Sequence, residues 1–92
     1  MMKEISREVI DEDELGENLR GAEANESERM NEYLDEVVGG NADSEWIWDE
    51  RWDGVQTLTV NGKDGRFVDF EYREWREGGK LIRLIEAREP NP

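Results

Sequence analysis

The hydrophobic period of this chain changes at Gly39-Gly40, and that change governs what it can fold into. Before it, Met30, Tyr33, Leu34, Val37 and Val38 recur at i, i+3, i+4, i+7 and i+8, the apolar stripe of an amphipathic helix. After it, Val68, Phe70 and Tyr72 alternate with Asp69, Glu71 and Arg73, the period-two pattern of a half-buried strand. Helical patterning followed by short alternating runs predicts an α+β domain.

The main helix is expected over residues 26–38. Asn25 stands at its N-cap, Glu28 at the capping-box position, and Gly39-Gly40 supply a left-handed stop. Residues 3–10 fit either period, because Ile5 and Val9 suit a helix or an alternating strand. Asp11 can cap a short helix over 12–20, with Glu14 three residues on and Leu15 and Leu19 on one face; Gly16 and Gly21 weaken it. Residues 21–27 are small and polar and read as a loop. Downstream, Trp46 and Trp48 have strand-like spacing within residues 45–51, and residues 55–60 are rich in β-branched side chains. Asn61-Gly62 opens a turn of several residues, and Gly78-Gly79 marks a tighter one. Residues 80–88 suit a strand or a helix, and the tight Gly-Gly connection favours a returning strand; Pro90 ends the element. The chain therefore reads as a single domain over residues 1–92, with 1–25 the candidate for partial disorder. One or two N-terminal helices pack on a three- or four-stranded antiparallel β-meander at 45–88. Leu34, Val37, Val38, Leu58, Val60, Val68, Phe70, Tyr72, Leu81 and Ile85 are the expected core.

All the surplus negative charge lies in the first half. Residues 1–50 hold 17 acids against 4 bases, whereas residues 51–92 hold 8 of each, so the net charge of −13 is local. Such a segment repels itself, and it offers a cationic partner the closely spaced anions that a nucleic acid offers. On the helix, Glu28, Glu32, Asp35 and Glu36 lie opposite the apolar stripe, roughly 5–10 Å apart along the axis at a rise of about 1.5 Å per residue. Phosphates recur along a DNA strand at a comparable spacing. Asp35 and Glu36 also sit at the negative end of the helix dipole, a local cost that a functional surface would explain. Asp43, Glu45, Asp49, Glu50 and Trp52 extend the candidate partner-binding surface beyond the helix. Trp46, Trp48 and Trp75 are expected to cover a small core, while Trp52, beside the Asp53-Gly54 turn, suits either a core or an interface hot spot.

Several classes of chemistry find no support. There is no Cys for a disulfide or thiolate and no His for the usual general base or zinc ligand. Ser6, Ser27 and Ser44 therefore have no His to activate them. The run from Asp11 to Gly16 begins like a calcium loop, but Leu15 and Ala22 occupy positions that need oxygen ligands; a second match from Asn41 fails because Trp46 replaces the required glycine. Paired carboxylates need a cleft that a chain this short struggles to enclose. No enzyme activity, cofactor or metal is expected. Repulsion from phosphates argues against direct contact with nucleic acid or an anionic membrane, and no apolar run is long enough to span a bilayer. The acidic start lacks the basic and apolar regions of a signal peptide, so a cytoplasmic location is expected.

Short length, absence of Cys, concentrated acidity, four Trp and a compact α+β plan together resemble the small acidic inhibitors of phages and mobile elements, the anti-CRISPR and anti-restriction proteins. The resemblance implies a non-enzymatic DNA mimic that occupies the basic nucleic-acid-binding groove of a host protein such as a CRISPR effector or restriction enzyme, acting as monomer or homodimer in the host cytoplasm. A second reading assigns the acidity to solubility alone, in a small accessory protein of a halophilic cytoplasm. That reading expects acid spread over the whole surface, which the neutral second half opposes.

Overall fold

In the computed structural model, residues 2–42 and 55–90 are described. The strand expected within 45–51, with Trp46 and Trp48, lies outside them. The order of elements is β1 (Lys3–Asp11), a 3-10 turn (Glu12–Glu14), α1 (Leu15–Val38), β2 (Val55–Asn61), β3 (Phe67–Glu77) and β4 (Lys80–Ala87). The strands form one sheet in the order β1-β4-β3-β2, with antiparallel neighbours throughout. One helix on a four-stranded antiparallel sheet is the expected α+β arrangement, and residues 80–87 are the returning strand.

One open reading is resolved and one local expectation is corrected. Residues 3–11 form a strand ahead of the helix, so the sheet gains a member from the N-terminal side. A register shift between Glu4 and Ser6 explains why its period was ambiguous. The bulge moves the inward positions from odd to even numbers, leaving Ser6 and Ile10 buried and Val9 53% exposed. The correction removes the loop at 21–27, because α1 runs unbroken through it. Its inner face continues upstream as Ala22 and Glu26, both buried. The polar Glu26 interrupts the apolar stripe and so disguises the helix as a gap. Asn25 is consequently an exposed mid-helix residue and not a cap. Asp11 does precede helical structure, but its side chain makes no cap hydrogen bond.

The C-terminal stop is as expected and more elaborate. Gly39 adopts φ 74°, in the left-handed region, and the Gly40 N–H donates to the Leu34 carbonyl at 3.0 Å. The turn between β2 and β3 then wraps the helix end. The N–H groups of Lys63 and Asp64 donate to the carbonyls of Gly40 (3.0 Å) and Val38 (3.1 Å). The Arg66 guanidinium donates to the Val37 carbonyl. These bonds satisfy carbonyls that a helix terminus otherwise leaves bare. Gly62 makes the approach possible: a Cβ there would stand 2.4 Å from the Cβ of Val38.

The core lies between α1 and the sheet in two parts. Met30, Tyr33, Leu34 and Val38 pack against Val60, Val68, Phe70, Tyr72, Ile85 and Ala87. Under the first turns of the helix, Ile10, Ala22 and Leu81 form a smaller cluster, flanked by Leu15 and Leu19. Every expected core residue takes part, with Val37 and Leu58 half-buried at the edge of the larger cluster.

Candidate interaction surface on the helix

The periodicity that buries Met30 and Leu34 turns Glu28, Glu32, Asp35 and Glu36 outward, and all four are exposed. Because α1 is one helix, the exposed Glu17 joins the same face, five turns before Asp35. From Glu17 to Glu36 the ridge runs about 28 Å at a rise of 1.5 Å per residue. Sequence reasoning missed Glu17 because the supposed loop separated it from the main helix. The continuing core stripe through Leu19, Ala22 and Met30 was the signal for it.

The ridge carboxylates contrast with many of the acids on and around the sheet, which are held by a cation. Around the sheet, acids are commonly matched: Glu4 with Arg7 (3.0 Å), Glu8 with Arg29 (2.8 Å), Glu12 with Arg76 (2.6 Å), and Glu71 with Arg73 (2.7 Å). Asp64 is held by Arg66 at 2.6 Å, and hydrogen bonds from Arg66 keep its carboxyl below the usual carboxylate range. Among the described residues, Glu17, Glu28, Glu32, Asp35 and Glu36 form no ion pair. The unfavourable position of Asp35 and Glu36 at the helix C-terminus is offset locally, since the β2–β3 turn brings Arg66 and backbone N–H groups onto the last carbonyls.

A buried ion pair fixes the height of the ridge over the sheet. Arg83 of β4 donates to both carboxylate oxygens of Glu26, each at 2.8 Å, and both side chains are at most 5% exposed. The guanidinium also lies 5.0 Å from the Tyr72 ring centre and 3.6 Å from Glu74, whose carboxylate accepts a hydrogen bond from the Tyr72 hydroxyl at 2.6 Å. Burial pushes the Glu26 carboxyl upward, further than the hydrogen bonds and charge of Arg83 pull it down. Burial opposes the charge on Arg83, but the Glu26 hydrogen bonds and nearby carboxylates outweigh it and hold its pKa above the ordinary value.

Asp43, Glu45, Asp49, Glu50 and Trp52 lie outside the described residues, so the ridge comprises the four helix acids of the expected set together with Glu17. Trp75 departs from expectation. It pairs with Ile82 on the sheet face away from the helix, half-buried, and its indole N–H donates to Glu77 at 3.3 Å. It therefore covers the outer face and not the core beneath α1. No three acidic side chains among the described residues converge into a cage for a metal ion. Among them, no helix is long and apolar enough to cross a membrane. No protein-family model, curated protein or solved structure matches the chain.

Proposed function

We propose that the protein is a non-enzymatic mimic of nucleic-acid charge, whose helix ridge occupies a cationic nucleic-acid-binding groove on another protein and so blocks it. The observation that carries this reading is the row of carboxylates along one continuous helix that form no ion pair among the described residues. A surface that served solubility alone would gain nothing from such order, and its acid would not be concentrated in residues 1–50. A host defence or nucleic-acid-processing protein is the class of partner with the complementary surface. Carboxylates on a docked helix approach such a groove without the ordering cost of a flexible tail.

The test uses the intact chain immobilised against a host lysate. Captured proteins should be nucleic-acid binders that elute with rising salt and are displaced by duplex DNA, because screening acts within about 8–10 Å at physiological ionic strength. Converting Glu28, Glu32, Asp35 and Glu36 to their amides should abolish capture while leaving the fold intact. Salt-insensitive capture, or a ternary complex with DNA at unchanged affinity, sinks the reading.

A further inference from the structure

We infer that Asn61-Gly62 is a site of spontaneous main-chain modification, cyclising to a succinimide that reopens as isoaspartate, and that the folded β2–β3 turn holds this reaction off until it lifts from the end of α1. The inference is independent of the charge-mimic reading. The chain has six asparagines, and only Asn61 precedes a glycine. A side chain on the following residue hinders attack by its nitrogen, and Gly62 has none. Asn61 is exposed, so water reaches it. The step needs no cofactor. The Gly62 nitrogen gives its proton to solvent base and attacks Cγ of Asn61. The N–Cγ bond forms, the Cγ–Nδ2 bond breaks, and ammonia leaves with a proton from water. A second water then opens the cyclic imide at either carbonyl, giving aspartate or isoaspartate. Asp64-Gly65 in the same turn has a similar sequence, but Arg66 donates to the Asp64 carboxylate and keeps it ionised, which makes it a poor acyl donor.

The fold restrains both reacting groups. Asn61 is the last residue of β2 and pairs with Phe67. In an antiparallel strand ψ is about +135°, which carries the following nitrogen away from the residue's own side chain. The Gly62 N–H donates to the Arg66 carbonyl at 2.7 Å, and the Asn61 carbonyl accepts the Ala42 N–H at 2.8 Å. Gly62 also lies hard against Val38, which leaves its peptide no room to rotate. The contacts to Ala42 and Val38 belong to the end of α1 and the residues after it. Ring closure therefore waits on a local opening in which the turn leaves the helix, an event that does not require the core to unfold. The product cannot restore the contact. Isoaspartate routes the main chain through Cβ, which adds one methylene ahead of Gly62 and a carboxylate in place of a neutral amide. Gly62 then loses its register with Val38, and the bonds from the Lys63 and Asp64 N–H groups to the Gly40 and Val38 carbonyls are broken. The modification is one-way, and it loosens the helix end that carries Asp35 and Glu36.

The test incubates the full chain at mildly alkaline pH, folded in buffer and unfolded in urea, and follows conversion at each asparagine by peptide mapping and mass spectrometry, with an isoaspartate-specific methyl transfer assay. In urea, Asn61 should convert ahead of every other asparagine. In the folded chain its conversion should be at least about tenfold slower, the protection that a closed local state gives. Arg66→Ala, which frees the turn from the Val37 carbonyl, should narrow that gap without changing the rate in urea. Amide exchange then compares the isoaspartyl product with Asn61→Asp, which adds the charge but not the methylene. The product should lose protection at Gly40, Lys63 and Asp64, and Asn61→Asp should keep it. Equal rates in buffer and urea overturn the restraint by the fold. No preference for Asn61 in urea overturns the site. An unchanged gap in Arg66→Ala, or full protection of those amides in the isoaspartyl product, overturns the link to the helix end.

Discussion

Glu26 and Arg83 show how one polar residue can both hide an element and position it. The pair is bidentate and almost fully buried, between two apolar clusters. Removing one partner leaves the other charge stranded, a loss typically of about 3–5 kcal/mol. Glu26→Leu should therefore cost about 3 kcal/mol by chemical denaturation, at the lower end because Glu74 still faces Arg83. The double variant Glu26→Leu with Arg83→Met should recover most of that loss. If the double variant is as unstable as the single one, packing and not charge governs the site. Gly62 poses a steric question of the same size. A Cβ in contact with Val38 forces the turn away from the helix end, so Gly62→Ala should cost about 1–3 kcal/mol, and Val38→Ala in the same chain should return part of it. Additive losses would mean that the turn has moved for another reason.

At the scale of elements, the helix is held unevenly. Leu34 is completely buried in the larger cluster, and Leu34→Ala should lower stability by about 2–4 kcal/mol through lost burial and a residual cavity. Leu19 is only half-buried beside the smaller cluster, so Leu19→Ala should cost less than Leu34→Ala. Amide exchange should show its effect confined to the first turns of α1 and to β1; global exchange would mean that the two clusters act as one. The same unevenness explains what was legible in the sequence. The stripe from Met30 to Val38 is wholly apolar and ends in two glycines, so that half of the helix could be read directly. The half before it has Gly16, Gly21 and Ala22 where bulk is usual and Glu26 where an apolar side chain is usual, so tertiary contacts with Arg83 and Leu81 had to complete it. β3 alternates without interruption and was equally plain. β1 was not, because its bulge at Ile5 breaks the alternation that identifies a strand. Of the ridge, four acids were visible as a helical face, while Glu17 depended on knowing that the helix is continuous.

For the whole molecule, charge and fold pull against each other. The net charge of −13 repels itself in the compact state, and the raised Glu26 pKa means that the native state binds that proton more tightly than the unfolded chain does. Both effects make stability rise on acidification, that of Glu26 as pH falls through its raised pKa and that of the net charge toward about pH 5, where free carboxylates begin to be protonated. Asp64 acts in the opposite sense, since its lowered pKa favours the ionised native state and its contribution disappears only as pH falls through that lowered value. Melting followed across pH should thus show a maximum on the acidic side of neutrality, and added salt should raise the midpoint at pH 7 more than at pH 5. A midpoint that falls steadily on acidification would show that attraction between paired charges outweighs the surplus. The strand order has a further consequence, in time. Lys3 pairs with Ala87 and Asp11 with Lys80, so among the described strands β1 has no neighbour until β4 has been made. During synthesis β1 must therefore wait, without its partner strand, until β4 has emerged. Closure of that long loop is the slow event in assembly, and strand and helix should gain protection together at the end.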